Sequence, residues 1–388
     1  MANTLTNLIP DIYRVLDVVS RELVGFIPSV ARDSTADRVA ANQTLRIPIS
    51  PANAAGGNIT PAMSLPSASD QTIGNASLTI TKQRFFFFFW TGEEQNAVDY
   101  GPNFLTLQQY QIAQAIRAAV NEMEADIATA AYKGASRAYG TAATVPFGTS
   151  GDYSDAAQSR KILDDNGAPL SDRSLVLNTT GGANLRGKQA QAHMVGGTTL
   201  QQQGVLLDIN GFALRESAQV PTVTAGTMAS ATTTASALTI GQTVLPLATA
   251  GTGVVAAGDI ITLINDSNKY VVSSVSFAGA NPASGDSITI AAPGLRVAQS
   301  SATRAITVVA TAARNIAFSR NSILLATRLP ALPQEGDLAT DRMTVTDPNS
   351  GIALEFAVYP GFRMNVYHVS VCWGVSVIKP EHVAVLLG

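Results

Sequence analysis

The chain has 388 residues, of which 46% are hydrophobic and only 14% charged, and its formal net charge is −3. That length allows two domains with a sizeable core, while so few charges suit a surface poorly to standing alone in water and favour its burial in an assembly. The mildly acidic balance, with no basic run longer than two residues, argues against broad phosphate neutralisation, and a single cysteine, Cys372, excludes an intrachain disulfide or a thiolate metal cluster.

Residues 1 to about 41 read as a helical arm, with Ile12, Val15, Leu16 and Val19 at helical spacing until Pro28 breaks the pattern. Asp11, Arg14 and Asp17 stand where an export signal would need its apolar stretch, so none is expected. Leu45 to Ile49 is strand-like. The Pro-, Gly-, Ala-, Ser- and Asn-rich stretch that follows, to Asn75, is too polar to build a core and reads as the tip of an extended two-stranded arm. The returning strand alternates cleanly from Leu78 to Arg84 and then runs into Phe85, Phe86, Phe87, Phe88, Phe89 and Trp90, a quarter of all the aromatic residues in the chain. Alternation puts Phe85, Phe87 and Phe89 on one face and Phe86, Phe88 and Trp90 on the other. At about 150 Å² per side chain the run carries about 900 Å² of apolar surface, more than a soluble monomer normally shows. Two coverings are open, a contact between chains or a two-sided core strand, and the first is preferred.

A capping box at Thr106 and Gln109 precedes Ile112, Ile116, Val120, Met123 and Ile127, which recur every three or four residues until Gly134. This predicts a helix over 107–133. Glu122, Glu124 and Asp126 would fan around it as a solvated face and not converge as catalytic carboxylates. Residues 136–215 read as mixed α/β: a helix near 154–164, a turn at Asp165-Asn166-Gly167, a strand at 174–178 and a helix near 183–191. From Thr222 to Ala312 only six charged side chains occur, and short β-patterned runs at 237–240, 260–264, 270–277, 287–291 and 306–309 suggest a small barrel or sandwich inserted in a larger domain. Strand runs at 344–346, 352–358 and 368–377 return the chain to α/β.

Chemistry-bearing patterns are weak. His193, His368 and His382 are scattered, without a second ligand at helical spacing, so no metal or other cofactor is expected. Cys372 has no basic neighbour to activate it. Gly251-Thr-Gly253 imitates a dinucleotide fingerprint, but a strand pattern follows it where a helix is needed. No nucleophile elbow, phosphate loop or calcium loop is present, and the chain is expected not to be an enzyme.

The closing segment from Val371 to Gly388 resembles that of major capsid proteins of tailed bacteriophages, in which an aromatic-Gly-Val strand leads through a basic-Pro-Glu turn to a final apolar strand. Trp373, Gly374, Val375, Lys379, Pro380 and Glu381 carry the resemblance, and Ser20 to Pro28 is similar to the N-terminal arm of such proteins. In layout the chain is similar to coat proteins of short-tailed enterobacterial phages, which insert a β-barrel domain into the Hong Kong 97-type fold. The aromatic run departs from that pattern. The resemblance implies an α+β fold with an N-terminal arm at 1–42, an extended loop at 43–97 and a peripheral domain at 98–205 with a spine helix at 104–134. It implies further an axial domain at 206–221 and 313–388, with the inserted β-barrel domain at 222–312. It also implies an icosahedral shell of hexamers and pentamers assembled in the host cytoplasm, with a scaffolding protein, a portal and a decoration protein as partners. DNA would be enclosed without sequence-specific binding, and no membrane is involved. Phe85 to Trp90 would then form an intersubunit contact. A bacterial compartment shell of encapsulin type shares the same fold expectation, and a Thr/Ser-rich tail or adhesin protein is the alternative from another class.

Overall fold

The computed structural model describes residues 24–40, 42–50, 61, 63, 73–94, 103–149, 152–191, 206, 208–249, 251–346 and 352–388. Most of the expected N-terminal arm, the loop tip and His193 lie outside these residues. The fold is mixed α+β, with far more strand than helix.

The first described strand, β1 (Ala31–Val39), lies where a helical arm was expected. Its sequence, ARDSTADRV, carries no apolar alternation of its own. It is extended because it pairs in parallel with β16 (Ile323–Pro330), where Arg328 bonds to the Asp33 carboxylate at 2.8 Å and Arg38 reaches Glu355 on a neighbouring strand at 2.5 Å. Tertiary pairing has overridden local propensity.

Strands β2 (Thr44–Ile49) and β3 (Gly74–Thr79) form an antiparallel two-stranded ribbon running from Thr44↔Thr79 to Ile49↔Gly74. Two residues later β4 (Lys82–Thr91) begins, the strand that contains the aromatic run. It pairs antiparallel along its whole length with β19 (Met364–Val377), from Lys82↔Trp373 to Thr91↔Met364. The opposite flank of β19 is taken by β18 (Ala353–Gly361) and β16, and β17 (Asp341–Thr346) follows β18. Since β18 and β4 pair with the same residues of β19, they lie on opposite sides of it. The outer edge of β4 therefore has no strand partner among the described residues.

Helix α1 (Asn103–Lys133) begins three residues before Thr106, so the expected capping box falls inside its first turn. At 31 residues it is about 46 Å long. Ile112, Ile116, Met123 and Ile127 are fully buried against the six-stranded sheet, as their 3.6-residue spacing requires.

A second, larger sheet contains β5 (Arg137–Tyr139), β6 (Arg173–Leu177), β7 (Ala213–Glu216), β15 (Ala312–Ser319) and β20 (Val383–Leu387), flanked by α2 (Ser154–Asp165) and α3 (Thr179–Gln191). It continues through β5 into β12 (Lys269–Val275), which pairs with β11 (Ile260–Leu263) and β13 (Ser287–Ile290). Between 222 and 312 the strands build a hydrophobic cluster of their own, with Leu245, Leu247, Tyr270, Val272, Ile288 and Leu295 at its centre. The run 237–240, expected as a strand, is held only by a bridge from Leu238 to Gln299. The longest strand not expected there is β10 (Val244–Thr249), in which Pro246 obscures the pattern.

Where that segment meets the rest of the chain, Arg314 on β15 is fully buried, and none of its three guanidinium nitrogens has a hydrogen-bond partner. Burial holds its pKa below the usual arginine value, against the pull of Asp259 and Tyr132. A buried cation left unpaired costs several kcal/mol. Arg314→Met is therefore expected to leave stability unchanged or raise it by about 1–4 kcal/mol in urea unfolding. A loss of that size would mean that the guanidinium is satisfied in solution.

Candidate assembly surface

Strand alternation sorts the six aromatics into two environments. Phe86 and Phe88 are half-buried against the main core, and Phe88 stacks on Tyr367 at 5.1 Å. Trp90 is buried and donates its indole N–H to Gln111 of α1 at 2.7 Å. This half of the run faces the chain's own helix, with Phe86 and Phe88 lining an open groove between β4 and α1. Phe85, Phe87 and Phe89 face the other way and are 58, 56 and 51% exposed. His368 lies between them on β19, its ring stacked on Phe85 at 5.2 Å and 4.9 Å from that of Tyr359. Burial among these rings pulls the His368 pKa down. At the turn of the β18–β19 hairpin Phe362 is 91% exposed. A row of half-exposed phenyl rings on a long edge strand is the arrangement that soluble proteins avoid or cover.

A charged clamp fixes the start of β4 to α1. Lys82 Nζ donates to Glu122 at 3.0 Å and to Asp126 at 2.8 Å, while Arg84 Nε donates to Glu122 at 2.9 Å. Asp126 also accepts the indole N–H of Trp373 at 2.8 Å, and Lys82 Nζ lies 5.8 Å from the centre of that ring. Burial would lower the Lys82 pKa, but its bonds to Asp126 and Glu122 outweigh this and raise it.

Glu124 does something else. It is buried, and its carboxylate accepts the backbone N–H of Phe26 and of Ile27, at 3.0 and 2.9 Å, and the hydroxyl of Ser217 at 3.2 Å. The expectation of a solvated acidic face is corrected at all three positions. Glu122 and Asp126 share the face turned to β4, and Glu124 ties the N-terminal segment and the end of β7 to α1. The i,i+4 spacing of Glu122 and Asp126 was the available signal. Nothing in the sequence announced the partners of Glu124, which lie about a hundred residues away in each direction.

The six closing-motif positions fall into two places. Trp373 is fully buried beneath Lys82, and Gly374 lies against the root of the ribbon. A Cβ at Gly374 would collide with the Thr79 carbonyl oxygen and lie 3.0 Å from Ile80 Cα. Gly374→Ala is expected to cost about 1–3 kcal/mol as the ribbon root is pushed away. An unchanged urea midpoint would show that the ribbon is not seated there. Val375 continues β19, pairing with Leu325 of β16. Lys379, Pro380 and Glu381 lie apart from this, in a turn where the Glu381 carbonyl accepts a bond from Asn166 at the end of α2 at 2.7 Å.

Other expected sites bring no chemistry together. Cys372 is buried, and desolvation pushes its thiol up to about 11. His382 lies in the closing turn, where burial pulls its pKa down. Among the described residues no group of three or more His, Cys, Asp or Glu could hold a metal ion, and no helix is long and apolar enough to cross a membrane.

No protein-family model matches the chain, and no curated protein matches it. Among solved structures, it is similar to a chain of the capsid of cyanophage P-SCSP1u, at 10% identity and a TM-score of 0.49 over 91% of this chain and 86% of that one. It is also similar to a chain of Mycobacterium phage Che8, at 12% identity and a TM-score of 0.45 over 89% and 84%. A virus-like particle from Pyrococcus furiosus is similar at 9% identity and a TM-score of 0.41 over 97% and 98%.

Proposed function

We propose that the chain is a structural shell protein, a major capsid protein of Hong Kong 97 type whose copies assemble into an icosahedral shell around packaged double-stranded DNA. The row Phe85, Phe87, Phe89 carries this reading. It is half-exposed, lies on an edge strand at the root of a two-stranded ribbon, and among the described residues is covered only in part, by His368. A surface of that kind fits burial against other copies, as the low overall charge also suggests.

The resemblance of the closing segment supplies the rest of the proposal. Residues 1–42 act as the arm; within 43–97 the ribbon of β2 and β3 is the part that reaches over a neighbour, while β4 belongs to the six-stranded sheet; 98–205 act as the peripheral domain, and 206–221 with 313–388 as the axial domain. Residues 222–312 form the inserted β-barrel domain, in keeping with their separate hydrophobic cluster. Hexamers and pentamers would form with a scaffolding protein, and a portal and a decoration protein would complete a virion built in the host cytoplasm. The net charge of −3 suits DNA held by confinement rather than by phosphate contacts.

The test is electron microscopy and sedimentation velocity of the purified full chain, with and without a scaffolding protein. Closed particles of uniform size are expected. A chain that stays monomeric at high concentration under both conditions would sink the reading.

A further inference from the structure

We propose that the cleft between the loop following β5 and the turn preceding β12 is a binding site for a small oxyanion, a molecule carrying a phosphate or carboxylate group. Such a site belongs to the single folded chain, whatever its state of assembly.

The cleft has a volume of about 310 Å³, at the small end of the range for ligand sites, and it lies where the segment 222–312 meets the larger sheet, the kind of junction at which such sites form. Its walls include Gly140, Thr141 and Thr144 after β5, Ser267 and Lys269 at the entry to β12, and Leu387 of β20. The loop on one side is held in a costly shape. Gly140, Ala143 and Phe147 all have left-handed backbones, at φ of 99, 61 and 61°. Glycine adopts this conformation freely, whereas alanine and phenylalanine do so at a cost, and residues held that way collect at ligand sites.

Lys269 selects the charge of the ligand. Its ammonium donates to the Gly140 carbonyl oxygen and has no acidic partner among the described residues, which leaves two of its three N–H donors for a ligand. Burial pulls its pKa down, and an anion beside it would reverse that pull. Asp155 also lines the cleft, but its carboxylate accepts the Phe147 N–H at 2.7 Å, and its charge acts on Lys188. Thr141, Thr144 and Ser267 are exposed, and their hydroxyls bond to no protein group among the described residues, so three further donors line the same space. A lone ammonium with hydroxyls beside it is a set of groups that suits an oxyanion.

The test is urea unfolding of the purified full chain at constant pH and ionic strength, with sodium chloride replaced stepwise by inorganic phosphate or by succinate. Binding to the folded state raises the midpoint with the logarithm of anion concentration, whereas the general stabilisation by excluded salts acts alike on parent and variant. The parent should show the logarithmic rise with at least one of the two anions, and Lys269→Met should lose it, whatever its own starting midpoint. Because Lys269→Met also gives up the bond to Gly140, Thr144→Ala with Ser267→Ala provides a second variant. Both positions are exposed, so its starting midpoint should match the parent's while the affinity read from the rise falls severalfold. A rise with phosphate alone identifies a phosphorylated ligand, and one with succinate alone a carboxylate ligand; both support the site. No logarithmic rise with either anion, or a rise kept in full by either variant, overturns it.

Discussion

Replacing Phe85, Phe87 and Phe89 together by Ser is expected to abolish particle formation while leaving the chain folded. Each ring already shows about half its surface to solvent, so its removal takes little from the monomer's core. Covering the remaining half of three rings at an interface is worth about 3 kcal/mol in all, at about 1 kcal/mol each, or a loss of about a hundredfold in affinity per contact. A shell repeats that contact around its surface, so the cooperative product disappears while the monomer remains. The control is the inward pair. Phe86→Ser with Phe88→Ser removes rings packed on the core and against Tyr367, and should lower stability by several kcal/mol before assembly is in question. Sedimentation velocity and electron microscopy read the assembly, and circular dichroism and urea unfolding read the fold. Normal particle yield from the odd-numbered triple would place the row on tolerant surface and remove the main support for the proposed function.

The second large effect concerns pH. Burial raises the Glu124 carboxyl to about 7, even though the backbone N–H groups of Ile27 and Phe26 and the Ser217 hydroxyl favour its charged form. Its folded value therefore lies above the ordinary 4.5, so between about pH 4.5 and 7 the folded state binds the proton more tightly than the unfolded chain does. Glu124 thus contributes stability at the acid end of that window and loses it as pH rises, at up to about 1.4 kcal/mol per pH unit and about 3 kcal/mol in total. Burial pulls the pKa of His368 and His382 below the ordinary histidine value, and these act in the opposite sense. The comparison must therefore be with Glu124→Gln, which keeps an acceptor for the Phe26 and Ile27 amides but does not titrate. The difference in urea stability between parent and variant should shift in the parent's favour from pH 8 to pH 5.5. A difference that stays flat across that range would mean that the buried carboxyl keeps an ordinary pKa.

Much of this molecule was legible where a pattern is local. Helices α1 and α2 and the strands β11, β12 and β13 follow from periodicity, because each buries one face or stripe. Strand β15 is buried at every position, so alternation has nothing to show, whereas β6, equally buried, was expected at 174–178 from its short apolar run. Strand β1 is polar and extended only through β16. The aromatic run announced a surface but not which half of it remained open, since that depended on where α1 lay. The role of Gly374 needed the ribbon's position, and that of Glu124 needed two amides on a distant segment. In each case the missing term was a partner far away in sequence.

That distance also has a consequence in time. The ladder that holds β4 pairs Phe88 with Tyr367, so about 280 residues must be synthesised after the aromatic run before its strand partner exists. At about 5–20 residues per second this takes about 15–55 s, during which five phenyl rings and an indole leave the ribosome with neither flank of their strand paired. That interval is when the chain's most adhesive segment is least protected, and it makes β4 the part of the nascent chain with the greatest need of a chaperone.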